Sequence, residues 1–170
     1  LKVAFIATYP PRQCGIATFT ADLFNALKAL YQNSNQSRKE DFLQVIALNN
    51  KEKNYNYDDG VSFKIRAPYP NDYRQAADFI NLSDVDIVCL QHEFGIFGGE
   101  DGNNIVQLLS ALKKPTVTTL HTILEKPTAG QHKTLRRICD YSSMVVVLAE
   151  KAISLLQDVY GVKKEKLVRI

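Results

Sequence analysis

The run Asp86-Ile87-Val88-Cys89-Leu90 offers no polar side to turn toward water once past its aspartate. So short and so uniformly apolar a run fits a strand covered on both faces, as in the middle of a parallel sheet. Leu1 to Thr8, with Ala4-Phe5-Ile6-Ala7 at its centre, reads as another buried strand, and Met144 to Leu148 as a further strand. Between such runs the spacing changes. Ile16, Phe19, Leu23, Leu27 and Leu30 recur at intervals of three and four and predict a helix with one apolar stripe against a sheet. Ile105, Leu108, Leu109 and Leu112 predict another. Helices are also expected over Asp72 to Leu82, residues 128 to 139, and Glu150 to Tyr160, the last closed by Gly161 in a left-handed cap. Phe42 to Leu48, Val61 to Arg66, Thr116 to Leu120 and Leu167 to Ile170 supply the remaining strands, with the alternating Val61 to Arg66 towards an edge. Strand and helix alternate, which requires crossover connections between parallel strands. The expected class is α/β, doubly wound, with a mostly parallel Rossmann-like sheet and helices on both faces.

A chain of 170 residues fits one domain, 1–170, and 45% hydrophobic with 23% charged residues is the balance of a globular protein. The net charge is +3, and its cations are interspersed with acids apart from Lys163-Lys164-Glu165-Lys166, so no nucleic-acid stripe is expected. No signal peptide and no apolar run of about 18 residues is visible, and the cysteine usage gives the expectation of a cytoplasmic protein. Cys14, Cys89 and Cys139 are odd in number and lack metal spacing, so reduced thiols are expected, the latter two as small buried side chains. The polar runs Gln32 to Lys39 and Asn49 to Gly60 read as surface loops. The chain starts at Leu1, has Met144 as its one methionine, and ends within an apolar run at Ile170, which suggests one domain of a longer protein.

The unusual residues gather where strands end. In an open parallel sheet, ligands bind beyond the carboxyl ends of the strands, at the reversal of strand order. Tyr9 to Gly15 follows the first strand, and Gln91 to Gly102 the fourth; His121 to Pro127 and Ala149-Glu150-Lys151 follow the fifth and sixth. In the common order these tips make one crevice holding Gly15, His92 and His121. Pro10 and Pro11 stiffen the first loop, while Gly15 can take positive φ and admit a ligand close to the main chain. A helix starting there aims free N–H groups at an anion such as a diphosphate. Cys14 beside it is a nucleophile only if a base is near, and none is visible.

His92 and His121 can meet a substrate hydroxyl as neutral imidazoles, whereas His132 is expected to be simply exposed. Glu93 reads as a general base, a hydroxyl acceptor or an ion-pair partner. Gly95, Gly98, Gly99 and Gly102 form a flexible loop that cradles a ligand, moves as a lid, or serves tight turns. Thr18, Thr119 and Thr122 are candidate polyol partners, Tyr9 and Phe94 candidate stacking surfaces, and Glu150 compensates a helix dipole. No Gly-Lys-Ser/Thr follows the glycines, and Gly15 belongs to no GxGxxG fingerprint.

Taken together, the chain resembles the N-terminal domain of a GT-B glycosyltransferase of the retaining GT4 type (glycosyl transferase group 1). Four stretches carry the likeness across essentially the whole length: Pro10-Pro11-Arg12-Gln13-Cys14-Gly15-Ile16-Ala17, Asp86-Ile87-Val88-Cys89-Leu90-Gln91-His92-Glu93, Thr119-Leu120-His121-Thr122 and Met144-Val145-Val146-Val147-Leu148-Ala149. The family's paired glycines are here Cys14-Gly15. The resemblance implies one half of a two-domain enzyme that moves a hexosyl unit from a nucleotide sugar to a sugar or other hydroxyl acceptor, with retention and without a metal or other cofactor. It implies Gly15 and Cys14 at the donor diphosphate, His121 at the reacting centre as the catalytic residue, and His92, Glu93, Thr122 and Gln13 towards the acceptor. The donor-binding C-terminal domain would be the main partner, and a peripheral membrane contact through Lys133, Arg136 and Arg137 is a weaker expectation. The alternatives are a non-catalytic nucleotide- or phosphate-binding Rossmann-like module and another GT-B type, such as a sugar-nucleotide epimerase or a phosphorylase-like protein.

Overall fold

Strand pairing follows the apolar runs. In the computed structural model, which describes residues 1–33, 42–50, 55–57 and 60–170, seven strands form one sheet. They are β1 (Lys2–Ala7), β2 (Phe42–Asn49), β3 (Val61–Arg66), β4 (Ile87–His92), β5 (Thr116–Leu120), β6 (Met144–Val147) and β7 (Leu167–Arg169). Their order is β3-β2-β1-β4-β5-β6-β7 and every pairing is parallel. This is a Rossmann-like α/β sheet, with β3 at an edge as its alternating pattern predicts. Strand order reverses between β1 and β4, the place where such a sheet leaves a crevice. Residues 34–41, 51–54 and 58–59 of the two polar runs expected to be surface loops lie outside the described residues.

Five helices, α1 (Gly15–Asn33), α2 (Pro70–Leu82), α3 (Ile105–Ala111), α4 (Ala129–Tyr141) and α5 (Glu150–Asp158), cover the sheet unequally. Because side chains alternate along a strand, Val3, Phe5, Val45 and Ala47 share one face, and Phe24 of α1 packs on them. Ala4, Ile6, Ile46 and Leu90 share the other, under Tyr73 and Ile80 of α2 and Leu108 of α3. That same face continues through Leu120, Val145 and Val147 beneath Leu135 of α4 and Leu156 of α5. Four helices thus lie on one side and α1 on the other. Beyond α1, Val117, Met144 and Val146 are half-buried and Val168 is 39% exposed.

The predicted stripe of α1 needs correction. Its buried residues are Ala17, Thr20 and Phe24, while Leu23 and Leu27 are half-buried and Leu30 is 63% exposed. Three-and-four spacing allows two adjacent stripes, and the larger ring wins the core: Phe24 lies 5.9 Å from Phe5 and 5.9 Å from Tyr9. Phe19, half-buried, is released to another use. Residue Pro70 opens α2, where the missing N–H is harmless. A capping box of Thr128 and Gln131 opens α4. At its far end the Lys166 ammonium donates to the carbonyls of Cys139, Asp140 and Ser142 at 2.9–3.0 Å. Gly161, with φ of 64°, follows α5 in the left-handed region, as expected.

These packing roles set a contrast. Leu90→Ala, in the fully buried centre, lowers unfolding free energy by roughly 2–5 kcal/mol in urea titrations. Leu30→Ala, removing a residue of the sequence-predicted stripe, changes it by less than about 0.5 kcal/mol.

Candidate functional site

The crevice is assembled from the ends of β1, β4 and β5. Leaving β1, the chain runs through a cis Pro10-Pro11 bond. The loop is tethered by Arg12, which donates from Nη1 to the Leu48 carbonyl at 3.2 Å, and by a Thr8 Oγ1 to Cys14 Sγ contact of 3.1 Å. Gly15 then begins α1. It does not use its capacity for positive φ: the glycines that do are Gly98, Gly99, Gly102 and Gly161. A helical start suits any residue, so Gly15 is not needed for backbone conformation. What remains is openness, since a Cβ there would meet nothing within 4 Å. The first turn of α1 carries no acidic side chain to occupy its N–H groups. Gln13 beside it is exposed.

One turn further along α1, Phe19 sets its ring edge-on to His121, with centroids 4.8 Å apart and planes at 85°. This contact joins the start of α1 to the tip of β5. The His121 N–H donates to the His92 carbonyl at 3.1 Å, extending the β4–β5 ladder by one rung. Its ring Nε2 lies 2.9 Å from Gln91 Oε1. Burial lowers the pKa of His121 from its ordinary value, against an opposing pull from Glu93. A cavity of about 290 Å³ opens beside the ring, walled by Ile123, Leu148 and Leu155 and edged by Lys151, which pairs with Glu125.

Glu93 takes neither an arginine nor open solvent as its partner. One carboxylate oxygen accepts from the Phe94 N–H at 2.9 Å, and the other from the Thr122 hydroxyl at 2.5 Å. It ties the tips of β4 and β5 together and aims Thr122. His92 lies behind them, fully buried, stacked on Phe97 at 5.6 Å and edge-on to Phe94 at 5.0 Å. Neither ring nitrogen has a hydrogen-bond partner. Burial, with a smaller push from His121, carries its pKa down from 6.5 to about 3. His92 is therefore a neutral packing ring beneath the crevice, out of a ligand's direct reach.

The glycine-rich segment after β4 runs close against its neighbours. Gly98 and Gly102 have φ of 65° and 71°, and a Cβ on either would run into a backbone carbonyl, of Ala67 and of Phe94. Asn104 donates to Ala67 O at 3.1 Å and Tyr73 to Ala67 O at 3.2 Å, while Tyr73 also bonds Phe97 O. With Phe97 and Ile96 in the core, the glycines serve tight turns. Of the second-rank candidates, Thr119 is buried, Thr18 is exposed, and Tyr9 packs against Phe24. His132 is not the exposed residue expected; it is half-buried, stacks on Tyr160 at 5.2 Å, and its Nε2 lies 3.0 Å from Val159 O. Glu150 pairs with Arg169 at 2.6 Å. Cys89 is half-buried and Cys139 buried, and burial pushes their thiols up to about 11 and about 12. Among the described residues no three His, Cys, Asp or Glu side chains group to hold a metal ion, and no helix is long and apolar enough to cross a membrane.

No family model matches the chain, and no curated protein matches it. Among solved structures, a short chain dehydrogenase family protein from Francisella tularensis subsp. tularensis SCHU S4 is similar, at 11% identity and a TM-score of 0.44. The overlap covers 96% of this chain and 78% of that one. So remote a likeness carries no argument about activity.

Gln91 and Phe19 are two residues to which the sequence reading gave no role in this site. The signal was available as parity. On β4, Cys89 and Gln91 share a face with Val117 and Thr119 of β5, and His121 is the next residue of that series. Phe19 is marked by lying just off the buried face of α1.

Buried neutral His92 makes stability depend on pH. Its folded-state pKa lies below the ordinary 6.5, so the unfolded chain takes up the proton first. Stability is full above that value and declines as pH falls towards 3, by up to about 1.4 kcal/mol per pH unit. His92→Leu removes this share of the decline. Urea unfolding at pH 6.5 and 5 should show wild type losing about 1–2 kcal/mol more than the variant; equal losses would contradict the assignment.

Proposed function

We propose that this chain is the acceptor-side domain of a retaining, sugar-nucleotide-dependent glycosyltransferase. The observation that carries the reading is the placement of His121. It stands at the tip of β5, next to β4 where strand order reverses, held by Gln91 and by Phe19, the latter one helical turn from the open start of α1. A bare helix N-terminus favours an anion, and a neutral imidazole nearby can hydrogen-bond a sugar hydroxyl. The four motif stretches supply the family resemblance, and three of them meet in this crevice.

On this reading the main-chain N–H groups at Cys14 and Gly15 stabilise the departing diphosphate, the kind of preorganised charge stabilisation that lowers a group-transfer barrier. His121 sits by the transferred hexosyl unit as the catalytic residue. Thr122, aimed by Glu93, and the exposed Gln13 face the sugar or other hydroxyl acceptor, while His92 supports them from the core. A second α/β domain across the crevice supplies recognition of the nucleotide and most of the sugar, and closing the two domains orients donor and acceptor. The reaction is proposed to run in the cytoplasm, with no metal or other cofactor and no nucleic-acid partner.

The test is nucleoside-diphosphate release by the whole gene product from UDP-, GDP- and ADP-sugars with mixed hydroxyl acceptors. Release from one donor, reduced more than about tenfold by His121→Ala, is expected. Absence of both binding and turnover across the panel would overturn the reading and favour a non-catalytic phosphate-binding module.

A further inference from the structure

Gln91 lies within one of the motif stretches but has no assigned role there, yet its side chain is the one hydrogen-bonded to His121. It is 1% exposed at the end of β4, and its register partner is Thr119, two residues before His121. Its Oε1 lies 2.9 Å from His121 Nε2. A carbonyl oxygen only accepts, so the ring nitrogen facing it must carry the proton. The edge-on ring of Phe19 and the main-chain bond to His92 limit the other orientations of the imidazole. Nδ1 has no partner among the described residues and is not among the buried unpartnered atoms, so it is accessible to a ligand.

We infer that Gln91 is a positioning residue that locks His121 as the neutral Nε2–H tautomer and presents its Nδ1 lone pair to the ligand. The choice of an amide matters. A carboxylate in the same place would favour the imidazolium, as the aspartate of a hydrolase triad does. The amide oxygen also orients the ring, and being uncharged it stabilises a positive charge far less. The one carboxylate acting on His121, Glu93, has both oxygens committed to Phe94 and Thr122, and the neighbouring His92 ring is neutral. Resting on the transferase reading, this makes His121 an acceptor toward a substrate hydroxyl rather than a cation for the diphosphate.

The test is nitrogen-15 NMR of histidine-labelled protein without any ligand, so it stands or falls separately from the transferase assay. In the wild type at pH 7.5, His121 should show a protonated Nε2, a bare Nδ1 and a slowly exchanging Nε2-bound proton. Gln91→Leu should lose that slow proton to rapid exchange with water, with the fold checked by circular dichroism. Gln91→Glu should raise the His121 titration midpoint by at least about one pH unit. A wild-type Nδ1–H tautomer overturns the inference, and needs no variant to be seen. So does an Nε2 proton that stays slow in Gln91→Leu, or a midpoint that Gln91→Glu leaves unmoved.

Discussion

The pleat of β4 divides the labour of the site. Successive residues leave a strand on opposite faces, so Gln91 and His92, neighbours in sequence, serve different layers. The register Gln91↔Thr119 and His92↔Leu120 fixes which layer each enters. Gln91 shares the side of α1 and reaches His121. His92 shares the side of Leu120 and is enclosed by aromatic rings. A slip of one residue would exchange them, placing an unpaired imidazole in the crevice and an amide among phenylalanines. His92 is unpaired in either layer, so the new cost is that of the Gln91 amide buried without its partner, about 1–3 kcal/mol. The architecture of the crevice therefore depends on the β4–β5 ladder being held in register by the apolar runs on either side of it.

The fold was largely legible because its signals are local. Short apolar runs, three-and-four spacing, Pro70 and Gly161 each act within a few residues, and strand and helix alternation then restricts the topology. The stripe of α1 was legible in part: Leu23 and Leu27 do pack beside Phe24, but helical spacing does not say which of two overlapping stripes meets the larger partner, and that was settled by Phe5 of β1. The glycine-rich segment misled for a related reason. Composition reports conformational freedom in the unfolded chain, whereas positive φ and carbonyl crowding at Gly98 and Gly102 report its loss on folding.

The site was legible as a location and less so as a set of roles. Gly15, His92, Glu93, His121 and Thr122 all lie at the tips of β1, β4 and β5 or beside them, as the ends of apolar runs foretell. Their tasks depend on partners distant in sequence. Glu93 is committed to Phe94 and Thr122, His92 to packing, and His121 to Gln91 and Phe19. None of these pairings leaves a trace in spacing alone.

The crowding around Gly98 and Gly102 also bears on how binding free energy is distributed. A segment whose backbone is wedged against Ala67 and Phe94 has already given up its conformational entropy by the time a ligand arrives. Contacts made against it lose little to ordering. On the proposed transferase reading, any closing motion is then expected elsewhere in the chain than in this segment.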